Sequence, residues 1–284
     1  MQGTISKDFN LREMQLMLVD MLKSTDYICK KHNIRYYLIG GSTLGAVRHN
    51  GFIPWDDDID IAMPRKDYER FLKIAPQELP QYYEIRTYKT HPEGHVYHWA
   101  KIEDNRTTLI VDWLKHLNYA GGIFIDLFPL DGVSKYQFIR KLHFKLLFLF
   151  SKKMFYIIYR DPTIKSKLFR SPKIINMMQR SKTRRLLHKI IHNLITPYNY
   201  DKSKYVANYT GEWLMKEIML KEYFGTPQLF QFENHLFNIP EKYDPYLKKL
   251  YGDYMKLPPK EKQISLHEFY LVDLNSPNST MFNS

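Results

Sequence analysis

The sequence predicts a fold of the mixed α/β (α+β) class, in which helices flank a sheet. Helical and strand-like patterns alternate along the chain up to about Val133, and this alternation is typical of such folds. Two aliphatic segments that contain acids, "DIDIAM" at 58–63 and "GGIFIDLF" at 121–128, have the composition of strands with one polar and one buried face. The length of 284 residues is sufficient for a large core.

The first predicted element is an amphipathic helix over Leu11–His32. Asn10 is placed to cap its first turn, and Glu13 completes a capping box. Apolar residues then recur at intervals of three and four, which is the spacing of one helix face. Two further elements follow: a strand in "IRYYLIGG", which ends in glycines, and a short helix in "STLGAVRH", which Ser42 caps.

The middle of the chain is predicted to contain more strands and one helix. Pro64 ends the strand of "DIDIAM", and a helix follows over Lys66–Ile74. Segments rich in β-branched and aromatic residues indicate the other strands. These strands are Tyr83–Tyr88, Val96–Glu103, Thr107–Val111 and Gly121–Phe128, of which the last is closed by Pro129.

The distribution of charge divides the chain into three predicted parts. Residues 1–133 form the α/β core, which includes the N-terminal helix. Residues 134–204 form a basic helical insert, in which Lys and Arg far outnumber the two acids. Residues 205–284 form a C-terminal part that completes the core domain, helical from about Lys202 to Phe269 and ending in a tail of about a dozen residues.

Composition excludes several classes of protein. The chain is 44% hydrophobic and 25% charged, which is typical of a globular protein. Its beginning lacks the basic head and apolar run of a signal peptide, and no window supplies the ~20 apolar residues of a membrane span. The single cysteine, Cys29, cannot form an internal disulfide, which favours a reducing compartment. We therefore expect a cytoplasmic location.

The basic insert predicts contact with a negatively charged surface. Its segment "YQFIRKLHFKLLFLFSKKMFYIIYR" mixes cations with large apolar residues, and a basic amphipathic helix often lies on an anionic membrane. We expect peripheral contact with the inner face of the cell membrane. Two alternatives remain open: the insert binds a polyanionic glycan, or its basic face is solvated while its apolar side packs on the core.

Acidic residues in two strands are the strongest chemical signal in the sequence. Asp58 and Asp60 are two positions apart in a predicted strand, so their side chains point to the same face. Asp126 has the same setting in "IFIDLF". Carboxylates held together in this way suit Mg²⁺, and an adjacent strand would bring Asp126 beside the pair as third ligand or general base. Alternatively, these acids, together with Asp56 and Asp57 just before them, cap helices or line a solvated loop.

A glycine turn before the acidic strand predicts a phosphate site. Gly40, Gly41 and Ser42 follow a strand and open a helix, where glycines allow close approach of the backbone and the first amides of the helix favour anions. Arg48 lies one short helix further on and is placed to clamp phosphate oxygens; alternatively it is a solvated surface residue.

Together these motifs resemble the nucleotidyltransferase superfamily, whose pattern is Gly-Gly-Ser followed by acids that alternate with aliphatic residues and by a third such acid. The spacing of 15 residues between Ser42 and Asp58 is longer than usual in the superfamily. The fuller string "LIGGSTLGAVRHNGFIPWDDDIDIAM" looks like the LicD family of phosphocholine transferases and relatives. "IDLFPLDGV" and "YDPYLKKLYGDYMKLPP", with His267 beyond, resemble later blocks of that family. The match covers about residues 37–133 and 222–267.

The resemblance implies a nucleotidyltransferase-like mixed sheet and an Mg²⁺-dependent transfer. Phosphocholine would move from CDP-choline to a hydroxyl of a teichoic acid or lipid-linked glycan precursor, releasing CMP. By motif position, Asp58 and Asp60 would hold Mg²⁺ against the diphosphate, and Asp126 would complete the site and take the hydroxyl proton. The phosphate would be positioned by Gly41, Ser42 and Arg48.

The two parts of the implied donor, choline and CMP, suggest further binding residues. A quaternary ammonium binds to aromatic faces, and Trp55 and Trp99, with Tyr97, are the aromatic candidates near the motifs; core packing is the alternative for each of them. Lys101, in "HWAKIED", is assigned from its charge to neutralise the leaving CMP.

Two other functions compete with this one. A related transferase would move phosphoethanolamine or ribitol phosphate from its CDP donor. A non-catalytic nucleic-acid-binding protein would use the basic insert, as the sequence pI of about 9.4 allows. We expect no nucleic-acid partner, because the insert has no recognisable nucleic-acid motif and the acids would then have no purpose.

Overall fold

The computed structural model describes residues 9–91, 95, 97–115, 119–158, 181–211, 213–265 and 267–278. Its helices are α1 Leu11–Lys31, α2 Gly40–His49, α3 Arg65–Glu78, α4 Gln137–Ile158, α5 Ser181–Ile195, α6 Lys221–Phe224 and α7 Tyr243–Tyr251. Its strands are β1 Tyr37–Leu38, β2 Ile59–Pro64, β3 Tyr83–Arg86, β4 Ala100–Asp104, β5 Thr108–Val111, β6 Phe124–Val133, β7 Tyr205–Ala207, β8 Met219–Leu220, β9 Gln228–Phe232, β10 His235–Ile239 and β11 Phe269–Asp273.

A mixed sheet is the centre of the fold. Its strands run in the order β1-β2-β6-β4-β3, and the far end of β6 also pairs with β7, which pairs with β8. Strands β2 and β6 are parallel, whereas the other neighbours in this sheet are antiparallel. Two smaller antiparallel pairs, β9 with β10 and β5 with β11, lie outside it. The prediction of a mixed α/β fold with flanking helices is confirmed.

Alternation along the two central strands separates the faces of the sheet. Ile61 and Leu127 pack with α1 and α3 in the main core, and their neighbours Ala62 and Phe128 pack on the opposite face in a second core that contains residues of α7. Because side chains alternate along a strand, Asp60 shares the face of Ala62. The acids of the central strands therefore lie on the α7 side of the sheet.

The first two predicted elements have different outcomes. Helix α1 is confirmed, and the side chain of its N-cap Asn10 accepts the Glu13 N–H. The strand in "IRYYLIGG" is shorter than predicted, because Gly40 and Gly41 already belong to α2, whose N-cap is Ile39. The prediction that Ser42 caps α2 is wrong. Ser42 lies inside the first turn of α2, and its hydroxyl accepts a hydrogen bond from the Asp60 N–H of β2.

Pro129 does not close β6, as the sequence predicted, but lies within it. Strand β4 pairs with β6 only as far as Leu127, and β7 pairs with it only from Asp131. Pro129 thus falls where β6 has a ladder partner on one side only. Proline lacks an N–H donor and is tolerated in a strand where no ladder bond is required of it.

The C-terminal part contains more strand than predicted. Among the described residues between 202 and 269, α6 and α7 are the α-helices, and four short strands, β7 to β10, precede α7. The hairpin of β9 and β10 turns at Glu233, which has φ 56°, and buries Phe232 and Phe237 in the main core. Burial alternates toward the end of each strand, which is the period of a half-buried strand and not of a helix. The predicted tail is partly ordered, because Thr108 Oγ1 donates to the carbonyl of Ser276 at 2.8 Å; residues 279–284 lie outside the described part.

Two helices, α4 and α5, make up most of the described part of the basic insert, whereas residues 196–204 are not helical. Residues 159–180 lie outside the described part. Leu147 of α4 packs with Ile191 and Ile195 of α5, and His143 Nε2 lies 2.6 Å from the carbonyl of Leu194. Among the described residues, none of the helices combines the length and apolarity that a membrane crossing requires.

Candidate active site

Strand register brings the predicted acids to one place. Asp60 of β2 and Asp126 of β6 are direct partners in the parallel ladder, so their side chains leave the sheet on the same face of adjacent strands, about 4.8 Å apart. Asp58 precedes β2 and is two positions from Asp60. The charges of Asp58 and Asp126 both raise the pKa of Asp60. The structure thus brings together the three acids that the sequence singled out.

Burial and the repulsion between like charges disfavour the ionised forms of these acids. Burial, and then the charges of Asp58 and Asp126, raise the pKa of Asp60 well above its ordinary value. Burial also raises the pKa of Asp58 to about 6, although the charge of His267 lowers it. A divalent cation would relieve this repulsion, and carboxylate oxygens are the donors that a hard cation prefers. The residues present therefore fit Mg²⁺.

Asp126 is held by two donors, one in the neighbouring strand β4 and one in the residue just before it. Trp99 Nε1 donates to Asp126 Oδ1 at 2.7 Å, and Lys101 Nζ lies 2.9 Å from the same oxygen. Lys101 is the ladder partner of Asp126 in β4 and is only 4% exposed, with its ammonium over the ring of Phe124. Both donors use Oδ1, and among the described residues Oδ2 makes no hydrogen bond or ion pair. This arrangement orients the carboxylate and leaves one oxygen for a ligand.

The glycine turn passes directly beside the acids. Gly40 has φ 55°, and a Cβ at this position would lie 3.4 Å from Asp60 Oδ2, so both conformation and space favour glycine here. A Cβ on Gly41 would lie 2.8 Å from Asp56 Oδ2. The Ser42 hydroxyl accepts the Asp60 N–H at 2.9 Å. These contacts hold the glycine turn against the segment that carries Asp56 and Asp60. Binding of phosphate by the turn stays a prediction.

Helix α7 supports the other side of the turn. The Tyr246 hydroxyl accepts the Gly40 N–H at 2.9 Å. The Tyr251 hydroxyl would lie 3.7 Å from a Cβ on Gly40, and burial, together with the charge of Asp60, raises the pKa of Tyr251. Sequence reasoning assigned neither tyrosine to the site. Their position in the block "YDPYLKKLY" was the available signal.

The contacts that Arg48 and Trp55 make lie outside the acidic cluster. Arg48 donates to the carbonyl of Tyr254 at 2.6 Å and to His49 Nε2 at 2.9 Å, which ties α2 to the loop after α7. Among the described residues it makes no hydrogen bond or ion pair with the acids. Trp55 packs edge-on against His49, with ring centroids 6.4 Å apart. Their predicted contacts with phosphate and choline stay predictions.

A contact missed by sequence reasoning joins the far C-terminal part to the acids. His267 Nδ1 lies 2.7 Å from Oδ1 of buried Asp57, and the Ser265 hydroxyl donates to the other oxygen of Asp57. Burial lowers the pKa of His267, but the hydrogen bond to Asp57 and the charge of Asp58 outweigh it and raise the pKa to about 9. An imidazolium therefore lies at the site, with Nε2 3.8 Å from Asp58 Oδ2.

Among the described residues, this contact belongs to a group of three side chains that could together hold a metal ion. Atoms of Asp57, Asp58 and His267 lie within 4.8 Å of one another; among the described residues, the predicted triad with Asp60 and Asp126 is more open. Both groups offer carboxylate oxygens, which a hard cation prefers, and His267 would bind a cation only as the neutral imidazole, because the protonated ring keeps no lone pair.

Comparisons with known proteins agree with this arrangement. The family model described as LicD/FKTN/FKRP, nucleotidyltransferase domain, matches residues 33–156. The lipopolysaccharide cholinephosphotransferase LicD of Haemophilus influenzae is 32% identical over 282 residues, which cover 94% of this chain and 100% of that protein. An uncharacterized protein of Rickettsia typhi is 45% identical over 62 residues, 22% of this chain and 20% of its own. The ribitol 5-phosphate transferase FKRP of Homo sapiens is 40% identical over 57 residues, 20% of this chain and 10% of its own.

Proposed function

This chain belongs to the LicD family, and on that premise we propose that it is a phosphotransferase that moves phosphocholine from CDP-choline to a hydroxyl of a lipid-linked glycan, releasing CMP. The observation that carries the proposal is the ladder pairing of Asp60 with Asp126, beside a glycine turn. Such a site suits phosphoryl transfer, in which catalysis consists mostly of positioning and of electrostatic stabilisation. The full-length relative is named for cholinephosphate transfer, which favours choline as the alcohol.

Asp58 and Asp60 would hold Mg²⁺, which when bound would neutralise the charge of the diphosphate, and Asp126 would complete the site as general base. In the transfer, the acceptor oxygen forms a bond to the phosphorus of phosphocholine. The bond from that phosphorus to the CMP phosphate breaks, and its electron pair leaves with CMP. The hydroxyl proton passes to Asp126 Oδ2, the oxygen that Trp99 and Lys101 leave available. The imidazolium of His267 adds positive charge for the phosphates.

The choice of transferred group and of acceptor is supported by the names of the relatives, whereas the CDP donor follows from the resemblance described above. One relative acts on lipopolysaccharide by its name, and another transfers ribitol 5-phosphate by its name. We propose a lipid-linked glycan as acceptor, of the lipopolysaccharide or the teichoic acid type. Phosphoethanolamine and ribitol phosphate are the alternative groups transferred.

CMP release from a panel of CDP-alcohols tests the donor. We expect the purified chain, with Mg²⁺ and a glycan acceptor, to form CMP from CDP-choline roughly tenfold faster than from CDP-ethanolamine or CDP-ribitol, since a mismatched group costs about 1–3 kcal/mol in a pocket. The double variant Asp58→Ala, Asp60→Ala is the control and should form none. Preference for another CDP-alcohol would replace choline while keeping the reaction.

The nucleic-acid alternative has its own signature. It predicts no CMP from any CDP-alcohol, together with salt-sensitive binding of DNA or RNA. That binding would survive Asp58→Ala and Asp60→Ala, because it would depend on the basic insert. These results together would overturn the transferase proposal.

The variant Trp99→Phe distinguishes two roles of Trp99, the hydrogen bond that orients Asp126 and the contact with choline. The ring remains, but the hydrogen bond to Asp126 is lost, and such a bond to a charged group contributes about 1.5–3 kcal/mol. We expect kcat to fall roughly ten- to hundredfold with little change in KM for CDP-choline. Trp113→Phe is the matched control and should retain wild-type rates. A raised KM with unchanged kcat would instead favour the choline contact predicted from sequence.

A further inference from the structure

Helix α4 exposes an apolar row on the side opposite its packed residues. Phe138, Leu142 and Leu146 are 78%, 46% and 53% exposed, and their spacing of four places them on one helix face. Phe144 and Leu147 are buried on the other side, in two small cores. The exposed row is therefore a surface feature of a well-packed helix.

Helix α5 repeats this arrangement. Leu186, Ile190 and Leu194 are exposed and have the same spacing of four. Ile191 and Ile195 are buried against Leu147 of α4. Two helices that pack together thus each leave an apolar row in solvent, which is unusual for a surface without a partner.

Cations accompany both rows. Lys141 and Lys145 immediately precede the exposed leucines of α4, and Arg185 and Lys189 immediately precede Leu186 and Ile190 of α5. All four cations are exposed, and none makes an ion pair with a described residue. Neither helix contains an acidic residue. Each of the two rows is consequently apolar and has positive charges beside it.

We propose that the exposed rows of α4 and α5 dock the protein on an anionic membrane surface. Apolar side chains would enter the boundary between headgroups and acyl chains, while the adjacent cations meet lipid phosphates. A soluble polyanionic glycan would engage the cations but leave both apolar rows in water. This inference does not depend on which phospho-alcohol is transferred, since it concerns a surface remote in sequence from the acids.

Vesicle co-sedimentation of the full chain tests the proposal. We expect binding to vesicles that contain phosphatidylglycerol, weakened by salt, and little binding to vesicles of phosphatidylcholine alone. The row variant Leu142→Ser, Leu146→Ser, Leu186→Ser should bind roughly tenfold more weakly or worse. Its matched control is Leu229→Ser, Leu236→Ser on the hairpin of β9 and β10, where both leucines are 55% exposed but have no such cations beside them; it should bind like wild type.

A charge variant tests the other half of the surface. Lys141→Gln, Lys145→Gln, Lys189→Gln should also weaken binding roughly tenfold, since each cation near an anionic surface contributes about 1 kcal/mol. Its control is Lys256→Gln, Lys260→Gln, Lys262→Gln, which removes three exposed lysines after α7. Circular dichroism and the thermal midpoint verify folding independently of any enzymatic assay.

Three outcomes would overturn the proposal. The first is the absence of binding to anionic vesicles. The second is an equal loss in the control variants. The third is undiminished vesicle binding by the row variant together with equally tight binding of a soluble polyphosphate, which would identify a polyanion site instead.

Discussion

Asp60→Asn is expected to lower transfer roughly a thousandfold. The variant removes one carboxylate from the proposed Mg²⁺ site, and stabilisation by a metal amounts to several kcal/mol, where each ~1.4 kcal/mol is a factor of ten in rate. The shape of the side chain and its position in β2 are kept. CMP formation from CDP-choline at saturating Mg²⁺ measures the effect.

The fold of this variant should remain intact. Burial and the charge of Asp58 already disfavour the ionised form of Asp60 and raise its pKa, so a neutral amide removes a repulsion. We expect the thermal midpoint in EDTA to be no lower than that of wild type. Added Mg²⁺ should raise the midpoint of wild type, because a ligand that binds only the folded state stabilises it, and should leave the variant unchanged.

A matched substitution and a clear contrary result complete this test. Asp20→Asn changes an exposed carboxylate of α1 and should have wild-type activity and the same response to Mg²⁺. Wild-type turnover by Asp60→Asn in the presence of EDTA would refute the metal assignment.

Lys101→Met is expected to destabilise the protein and to remove most of its activity. Removing one partner of a buried ion pair costs about 3–5 kcal/mol, because the other charge stays buried without compensation. Here that charge is Asp126, whose Oδ1 is 2.9 Å from Lys101 Nζ. Methionine keeps the length and apolar contacts of the side chain, so the change isolates the charge. Chemical denaturation and kcat measure the two effects.

A second variant separates stability from catalysis. Lys101→Met, Asp126→Asn replaces the unpaired carboxylate by an amide and should regain most of the lost stability while remaining inactive. Lys66→Met, at an exposed position at the start of α3, is the control and should match wild type. If Lys101→Met keeps wild-type stability and kcat and only raises the KM for the donor, then the role predicted from sequence, contact with CMP, is the better assignment.

The candidate acids could be found from sequence because they depend on local geometry. Side chains alternate along any strand, so the pattern of acids and isoleucines around Asp58 and Asp60 already implied one polar face. The same reasoning correctly identified α1 from its helical spacing. It failed for the hairpin of β9 and β10, because each strand has only five residues, and the period of so short a segment does not separate strand from helix.

The partners of the acids could not be found in this way. The sequence predicts that Trp99 contacts choline and that Lys101 contacts CMP. In the structure, both side chains contact Asp126. Ser42 was assigned to a helix cap, yet its hydroxyl accepts the Asp60 N–H. Each of these contacts joins two elements, and sequence patterns carry information mainly about one element at a time.

The sequence alone determined the class of the fold, the common face of the acids and the resemblance to a family. These features follow from short-range periodicity and from motifs within single segments. Only the tertiary structure decided which residues surround those acids. The ladder register of β2 and β6 pairs Asp60 with Asp126, and the closing of the chain places His267 beside Asp57, 210 residues away. Register and packing are set by the whole core, and no single segment encodes them.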